Sequence, residues 1–311
     1  MTPSPFEAAA RAAIATRREP ATRQDYVRAL VRWLEHCAEQ GIDPTAPTDG
    51  AAASFRDLVS INRKTGKPMR PSSIRNYFAA LSYVYGTLIA KNPPKATWNP
   101  FSARNIQWPE VSTDEGETQP ILDRDTQRIL SVCAEDASPA GLRDHAIVQV
   151  LYGTGLRRMS VMSIERDRIV YQDDGQVIAR VKVKGSGDNL KQVTLPESAV
   201  KAIEAWLEVA PKGPYVFPSR NKRGHMDLSM VNKILAARAK AAEVEEARPH
   251  KFRVAYATAA FDANLNQRDI QASMHHADPR STQRYDRGNR GGEVAAAVAE
   301  HRAAAVAKRS R

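Results

Sequence analysis

Tyr152-Gly153-Thr154-Gly155-Leu156-Arg157 reads as a helix end, a glycine turn and an arginine presented by that turn. Downstream stands His250-Lys251-Phe252-Arg253, and a helix beginning there sets His250 and Arg253 about one turn apart on one face. The third piece is residues 274–285, Met-His-His-Ala-Asp-Pro-Arg-Ser-Thr-Gln-Arg-Tyr, in which Tyr285 follows His276 by nine residues. Each residue alone has an ordinary reading. Arg157 suits a salt bridge, His250 a helix cap, His276 a satisfied core position and Tyr285 half-buried packing. The ordered set is the signal.

Outward from these pieces the chain is mostly helical. Apolar spacing marks helices from Thr22 (Tyr26, Leu30, Trp33, Leu34, Cys37), over Gly50 to Ile61, and from Ser72-Ser73, read as caps, through Ile74, Tyr77, Leu81, Tyr85 and Leu88. Further helices are expected over Leu122–Cys133, Arg143–Tyr152, Ser198–Val209, Ser229–Ala242, Phe252–Ala263 and Asn266–Met274. Gln176 to Lys184 alternates β-branched and polar residues, Gly185-Ser186-Gly187-Asp188-Asn189 turns, and Leu190 to Leu195 returns as a strand. The fold class is therefore mainly α with a small β-hairpin or sheet in the C-terminal half. Residues 1–21 read as a flexible arm with an Ala-rich helical stretch, 22–112 as a helical domain and 113–118 as a polar linker. Residues 119–288 read as a second domain and 289–311 as a helical tail.

Forty-six Lys and Arg against 35 Asp and Glu give a net charge of +11, which points to a polyanionic partner such as nucleic acid. From Leu58 to Arg104 there are eight basic and no acidic residues. Arg63, Lys64, Lys67, Arg70 and Arg75 surround one turn and one helix start, the pattern of phosphate contacts, and Arg75, Asn76 and Tyr77 are candidates for base contacts. Two cysteines, Cys37 and Cys133, cannot build a disulfide framework or a zinc site and are expected as buried small residues. No run of 18 apolar residues exists, so no transmembrane helix and no membrane partner are expected, and the default location is cytoplasmic.

The chemistry of the three pieces is phosphoryl transfer. Arginine forks bind nonbridging oxygens, histidines donate hydrogen bonds or move a proton, and an oriented tyrosine attacks phosphorus. The chain offers no carboxylate cluster for two metal ions, which favours a metal-free reaction, and no cofactor is expected.

The order Arg, His-x-x-Arg, His and Tyr resembles the tyrosine recombinase (phage integrase) family. The 26-residue step from His250 to His276 and the nine-residue step to Tyr285 match its spacing. The helical N-terminal half resembles its core-binding domain, and 119–288 its α+β catalytic domain. The resemblance implies that Tyr285 is the nucleophile of a 3′-phosphotyrosine intermediate, that Arg157 and Arg253 hold the scissile phosphate, that His250 accepts the tyrosine proton, and that His276 bonds a nonbridging oxygen. It implies strand exchange without metal or ATP, on double-stranded DNA carrying inverted-repeat sites, by a homo-tetramer in the synapse that is nucleoid-associated when bound. It implies too that the domains clamp the duplex as a C shape, with the tail exchanged between protomers.

The family's hairpin lysine departs from pattern. Ser186 fills the usual slot, and Lys184 at the hairpin tip is the residue assigned as the acid, with Lys182 and Lys191 as alternatives. Ser160 stands where an acidic residue is usual, and His275 where glycine is usual; His275 is read as a packing or surface residue. A type IB topoisomerase shares this chemistry, but His250 occupies a position typically Lys or Arg there. A DNA-binding architectural or regulatory protein without catalysis is favoured only by the displaced lysine. A basic RNA-binding protein lacks an RNA-recognition aromatic motif.

Overall fold

A computed structural model describes residues 3–111, 118–183, 189–219, 224–275 and 282. The chain divides into two units, residues 1–117 and 118–311.

The first unit carries α1 (Pro5–Ala15), α2 (Pro20–Gln40), α3 (Ala51–Val59) and α4 (Pro71–Ile89). Proline stands in the first turn of α1, α2 and α4, where its missing N–H is not needed and its fixed φ suits a helix. This sets the start of α4. Arg70 is held extended before Pro71 and occupies the cap position, so Ser72 and Ser73 lie inside the first turn and do not cap it as expected. The first residues also differ from the flexible arm expected. Ser4 Oγ accepts from the Glu7 N–H at 3.1 Å, and α1 buries Phe6, Ala10 and Ile14 in the core. Their four-residue spacing is a helical stripe, diluted in the sequence by the alanines around it.

Trp33 is the centre of this core and is fully buried. Phe55 and Phe101 meet it edge-on at 5.3 Å and 4.9 Å between ring centroids. Its indole N–H donates to the Tyr85 hydroxyl at 2.9 Å, which in turn donates to the Pro44 carbonyl at 2.7 Å. The basic turn between α3 and α4 is closed by backbone bonds from Met69 N to Ser60 O (2.6 Å) and from Asn62 N to Lys67 O (2.8 Å). Asn62 Oδ1 also accepts from the Lys64 and Thr65 N–H groups.

The second unit carries α5 (Asp123–Glu135), α6 (Pro139–Thr154), α7 (Arg158–Met162), α8 (Glu197–Val209), α9 (Leu228–Ala241), α10 (Pro249–Asp262) and α11 (Gln267–Ser273). A three-stranded antiparallel sheet joins them: β1 (Ile169–Tyr171), β2 (Val177–Lys182) and β3 (Leu190–Leu195), in that order. The mainly helical fold with a small sheet is the class the periodicity indicates. β1 was not legible, because three residues are too few to show a period. Val177, Ala179 and Val181 of β2 and Val193 and Leu195 of β3 face the core. Register pairs Val181 with Lys191 and Lys182 with Leu190. Lys191 thus lies on the core-side face at its open end, and Lys182 on the opposite face.

Asp144 of α6 is buried and accepts from Arg238 Nε of α9 at 2.9 Å and Arg143 Nη2 at 2.6 Å. Arg238 Nη2 reaches Asp136, just past α5, at 2.6 Å. Cys37 and Cys133 are buried, which pushes their thiols up to about 12 and about 11. Among the described residues no helix is long and apolar enough to cross a membrane.

Trp33→Ala is expected to cost about 3–5 kcal/mol in denaturant unfolding of the chain. Trp33→Phe keeps a ring but leaves the Tyr85 hydroxyl without its indole donor, and its cost falls between those of wild type and Trp33→Ala.

Candidate active site

Three segments of the second unit meet at Arg253. Helix α10 starts at Pro249 with Arg248 as its cap, so His250 sits in the first turn and Arg253 one turn on, as the spacing requires. Arg253 is 3% exposed. Its Nη1 donates to the Gly155 carbonyl at 2.6 Å and its Nη2 to the Met274 carbonyl at 2.8 Å. One guanidinium therefore ties the turn that presents Arg157 to the end of α11, which precedes the paired histidines.

The glycines of the turn are there for space. Gly155 closes α6 in the left-handed conformation at φ 59, its N–H donating to Leu151 O at 3.1 Å. A Cβ on it would lie 2.7 Å from the Tyr256 ring, and one on Gly153 would lie 2.5 Å from Pro196 Cγ. Arg157 then caps α7 with extended backbone. It is half-buried, and its guanidinium makes no hydrogen bond or ion pair among the described residues. Ser160, buried on α7, donates from Oγ to the Lys182 carbonyl at 2.8 Å, anchoring the end of β2 to this helix.

His250 lies at the solvent rim. Partial desolvation, then the charges of Arg253 and Arg157, hold its pKa below the ordinary imidazole value. His275 follows α11 with φ 51. Its ring is half-buried, and Nε2 is buried without a hydrogen-bond partner among the described residues. Burial, then Lys191, Arg253 and Arg157, lower its pKa. Arg157, Lys191, His250, Arg253 and His275 thus form one electrostatic cluster.

Of the residues expected at the site, Arg157, His250 and Arg253 are brought together, while Lys184, His276 and Tyr285 lie outside the described residues. Lys182 is exposed on the outer face of the hairpin, whereas Lys191 acts on the cluster. His275, read from the sequence as packing or surface, is half-buried and lies within the field of the cluster. The available signal was its place in a glycine position. Of the basic-turn residues, Lys64, Lys67 and Arg70 are exposed. Arg63 pairs with Glu35 at 3.2 Å, and Arg75 lies over the Trp108 ring at 5.4 Å. Asn76 is exposed on α4, but Tyr77 is half-buried edge-on to Phe55 at 6.1 Å, so its ring is committed to the core.

The phage integrase family model matches residues 121–290, more than half of the chain. The chain belongs to the phage integrase family. This tyrosine-type DNA recombinase is 28% identical over 276 residues to tyrosine recombinase XerD of Rhizobium meliloti (strain 1021), covering 85% of this chain and 84% of that protein. Its fold is like that of the site-specific recombinase XerH bound to its difH substrate in a pre-cleavage complex. The TM-score is 0.68 at 16% identity, over 88% of this chain and 78% of that one. A lambda integrase tetramer bound to a Holliday junction is also similar in fold, with a TM-score of 0.64 at 16% identity, over 92% of this chain and 77% of that one.

Two outcomes follow for the recombinase. Gly155→Ala is expected to lose about 2–4 kcal/mol of stability, from left-handed strain plus the clash with Tyr256, read by chemical denaturation. Stability also depends on pH. Burial, as the largest cause, holds the folded-state pKa values of His36, His145, His250 and His275 below the ordinary imidazole value of about 6.5. Below that value the unfolded chain binds more protons than the folded one. Their contribution is therefore complete above pH 6.5 and is lost as pH falls through the folded-state values. The melting temperature should drop between pH 7.5 and 5.5; a flat profile would contradict the assignment.

Proposed function

We propose that this site-specific recombinase cleaves and rejoins double-stranded DNA through a 3′-phosphotyrosine intermediate on Tyr285, without metal or ATP. The observation that carries the reading is the open guanidinium of Arg157. Among the described residues it stands unpartnered, within the field range of His250 and on a turn held by Arg253. A half-buried cation with no partner among the described residues suits an anion that arrives from outside.

In this reading Arg157 receives a nonbridging oxygen of the scissile phosphodiester. Arg253 adds its charge from below, and His276 a hydrogen bond. Tyr285 Oη attacks phosphorus while the neutral His250 imidazole takes the phenolic proton, which its lowered pKa leaves it free to do at neutral pH. The P–O bond to the 5′-oxygen breaks, and a hairpin lysine protonates that oxygen. Lys184 is the residue assigned from the sequence, two positions after β2 ends; Lys191 is the alternative favoured by its field at His275. Attack by the 5′-hydroxyl of a partner strand reverses the chemistry and releases Tyr285. The phosphotyrosine stores the bond energy, so no nucleotide is consumed.

The DNA would be gripped by Arg63, Lys64, Lys67, Arg70 and Arg75 through phosphates, with Asn76 nearest to a base-reading role. The lambda integrase tetramer bound to a Holliday junction supports a tetrameric synapse. In this reading the sites are inverted repeats, residues 289–311 are exchanged between protomers and the DNA is that of the nucleoid.

Covalent trapping tests this. The protein is incubated with a library of DNA fragments from its source genome and quenched in detergent, and the protein-linked ends are sequenced. Adducts mapping to short inverted repeats are expected, with none for Tyr285→Phe and a loss of about 100-fold or more for Arg157→Ala. Lys184→Ala and Lys191→Ala are compared on DNA with a 5′-bridging sulfur, whose leaving group needs no proton; the variant rescued by sulfur identifies the acid. Affinity should fall steeply between low and moderate salt.

A further inference from the structure

We propose that His275 is a further substrate-contacting residue of this site, donating from Nε2 to a nonbridging oxygen of the bound DNA phosphodiester. The proposal rests on the reading of the cluster as a phosphoryl-transfer site.

The backbone does not call for an imidazole here. His275 ends α11 at φ 51, where its N–H donates to the Ala272 carbonyl at 3.0 Å. Glycine adopts this conformation freely, and histidine only with some strain. Helix closure alone would therefore be served better by glycine. The ring, moreover, sits in a costly environment. Nε2 is buried and makes no hydrogen bond among the described residues, an arrangement that opposes folding.

Among the described residues the charges that act on the ring are all positive, and they come from three segments. Lys191 reaches it from β3, Arg253 from α10 and Arg157 from the turn between α6 and α7. No anion among the described residues acts on this imidazole. A phosphodiester oxygen supplies the missing acceptor for Nε2–H and a counter-charge for Arg157 and Lys191 at once. Strain at a left-handed residue and an orphaned polar atom at the same residue fit a side chain kept for its ligand.

Packing and function predict different outcomes, because glycine relieves the strain while deleting the donor. His275→Gly is expected to melt at the wild-type temperature or above and yet form covalent adducts about tenfold or more slowly on the trapped DNA sites. His275→Asn tolerates the left-handed backbone and keeps an amide donor; it should recover to within about threefold of wild type. A second readout needs no DNA cleavage. The full chain is labelled with 15N-histidine, and the His275 signal is assigned by its absence in His275→Asn. Inorganic phosphate, added at constant ionic strength against chloride, should raise the His275 titration midpoint by about one pH unit, and less so in Arg157→Ala.

The proposal is overturned if phosphate leaves the His275 titration unchanged, or if His275→Gly forms adducts at the wild-type rate. Should wild type form no adduct on any DNA, the phosphotyrosine reading fails, and the phosphate titration alone decides whether His275 meets an anion. If His275→Gly does not fold, His275→Asn and the titration decide.

Discussion

The second unit depends on the two bonds from Arg253 to the carbonyls of Gly155 and Met274. They fix the two loops between which the candidate site lies, and they do so from a buried position. A charge so far from water is tolerated because its donors are satisfied by backbone oxygens that would themselves be under-bonded without it. The same guanidinium places a positive field under His250 and His275, so neutral imidazoles are favoured there in the absence of an anion. Structure and electrostatics are carried by one side chain, which is why its position in the fold and its position in the site coincide.

Around Arg253 the close approaches are made by residues without bulk. Gly155 lets the Tyr256 ring lie against the turn, and Gly153 lets Pro196 do the same from the start of α8. Ser160, in place of the usual acid, uses its hydroxyl to hold the Lys182 carbonyl.

The first unit is organised differently. Its core is aromatic, with Trp33 meeting Phe55 and Phe101 edge-on, and a hydrogen-bonded chain from indole to Tyr85 to the Pro44 carbonyl satisfies the polar atoms at its centre. That core leaves one face of α4 and the basic turn for other work. Lys64, Lys67 and Arg70 are outward there, while Arg63 and Arg75 lean on Glu35 and Trp108. Stable packing beneath a rigid, backbone-closed turn is what allows a row of like charges to be held together.

The family, the mainly helical class and the grouping of Arg157, His250 and Arg253 can be read from the chain alone. These rest on residue order and on helical spacing, which are local properties of the chain. Periodicity found the longer helices and the hairpin because each has enough residues to show a repeat; it missed β1 and α7, which are too short, and it read α1 as a helical stretch in a loose arm because its apolar stripe is hidden among alanines. The start of α4 followed Pro71 rather than the serines after it, since proline restricts its predecessor more strongly than a hydroxyl rewards a cap. Tertiary packing alone buries Arg253 between two loops, spends Tyr77 on packing, puts Lys191 and not Lys182 on the core-side face, and buries His275 Nε2 without a partner among the described residues in the field of the cations. Each of these is set by what distant segments place beside the residue, and burial and electric field are sums over neighbours that no local pattern contains.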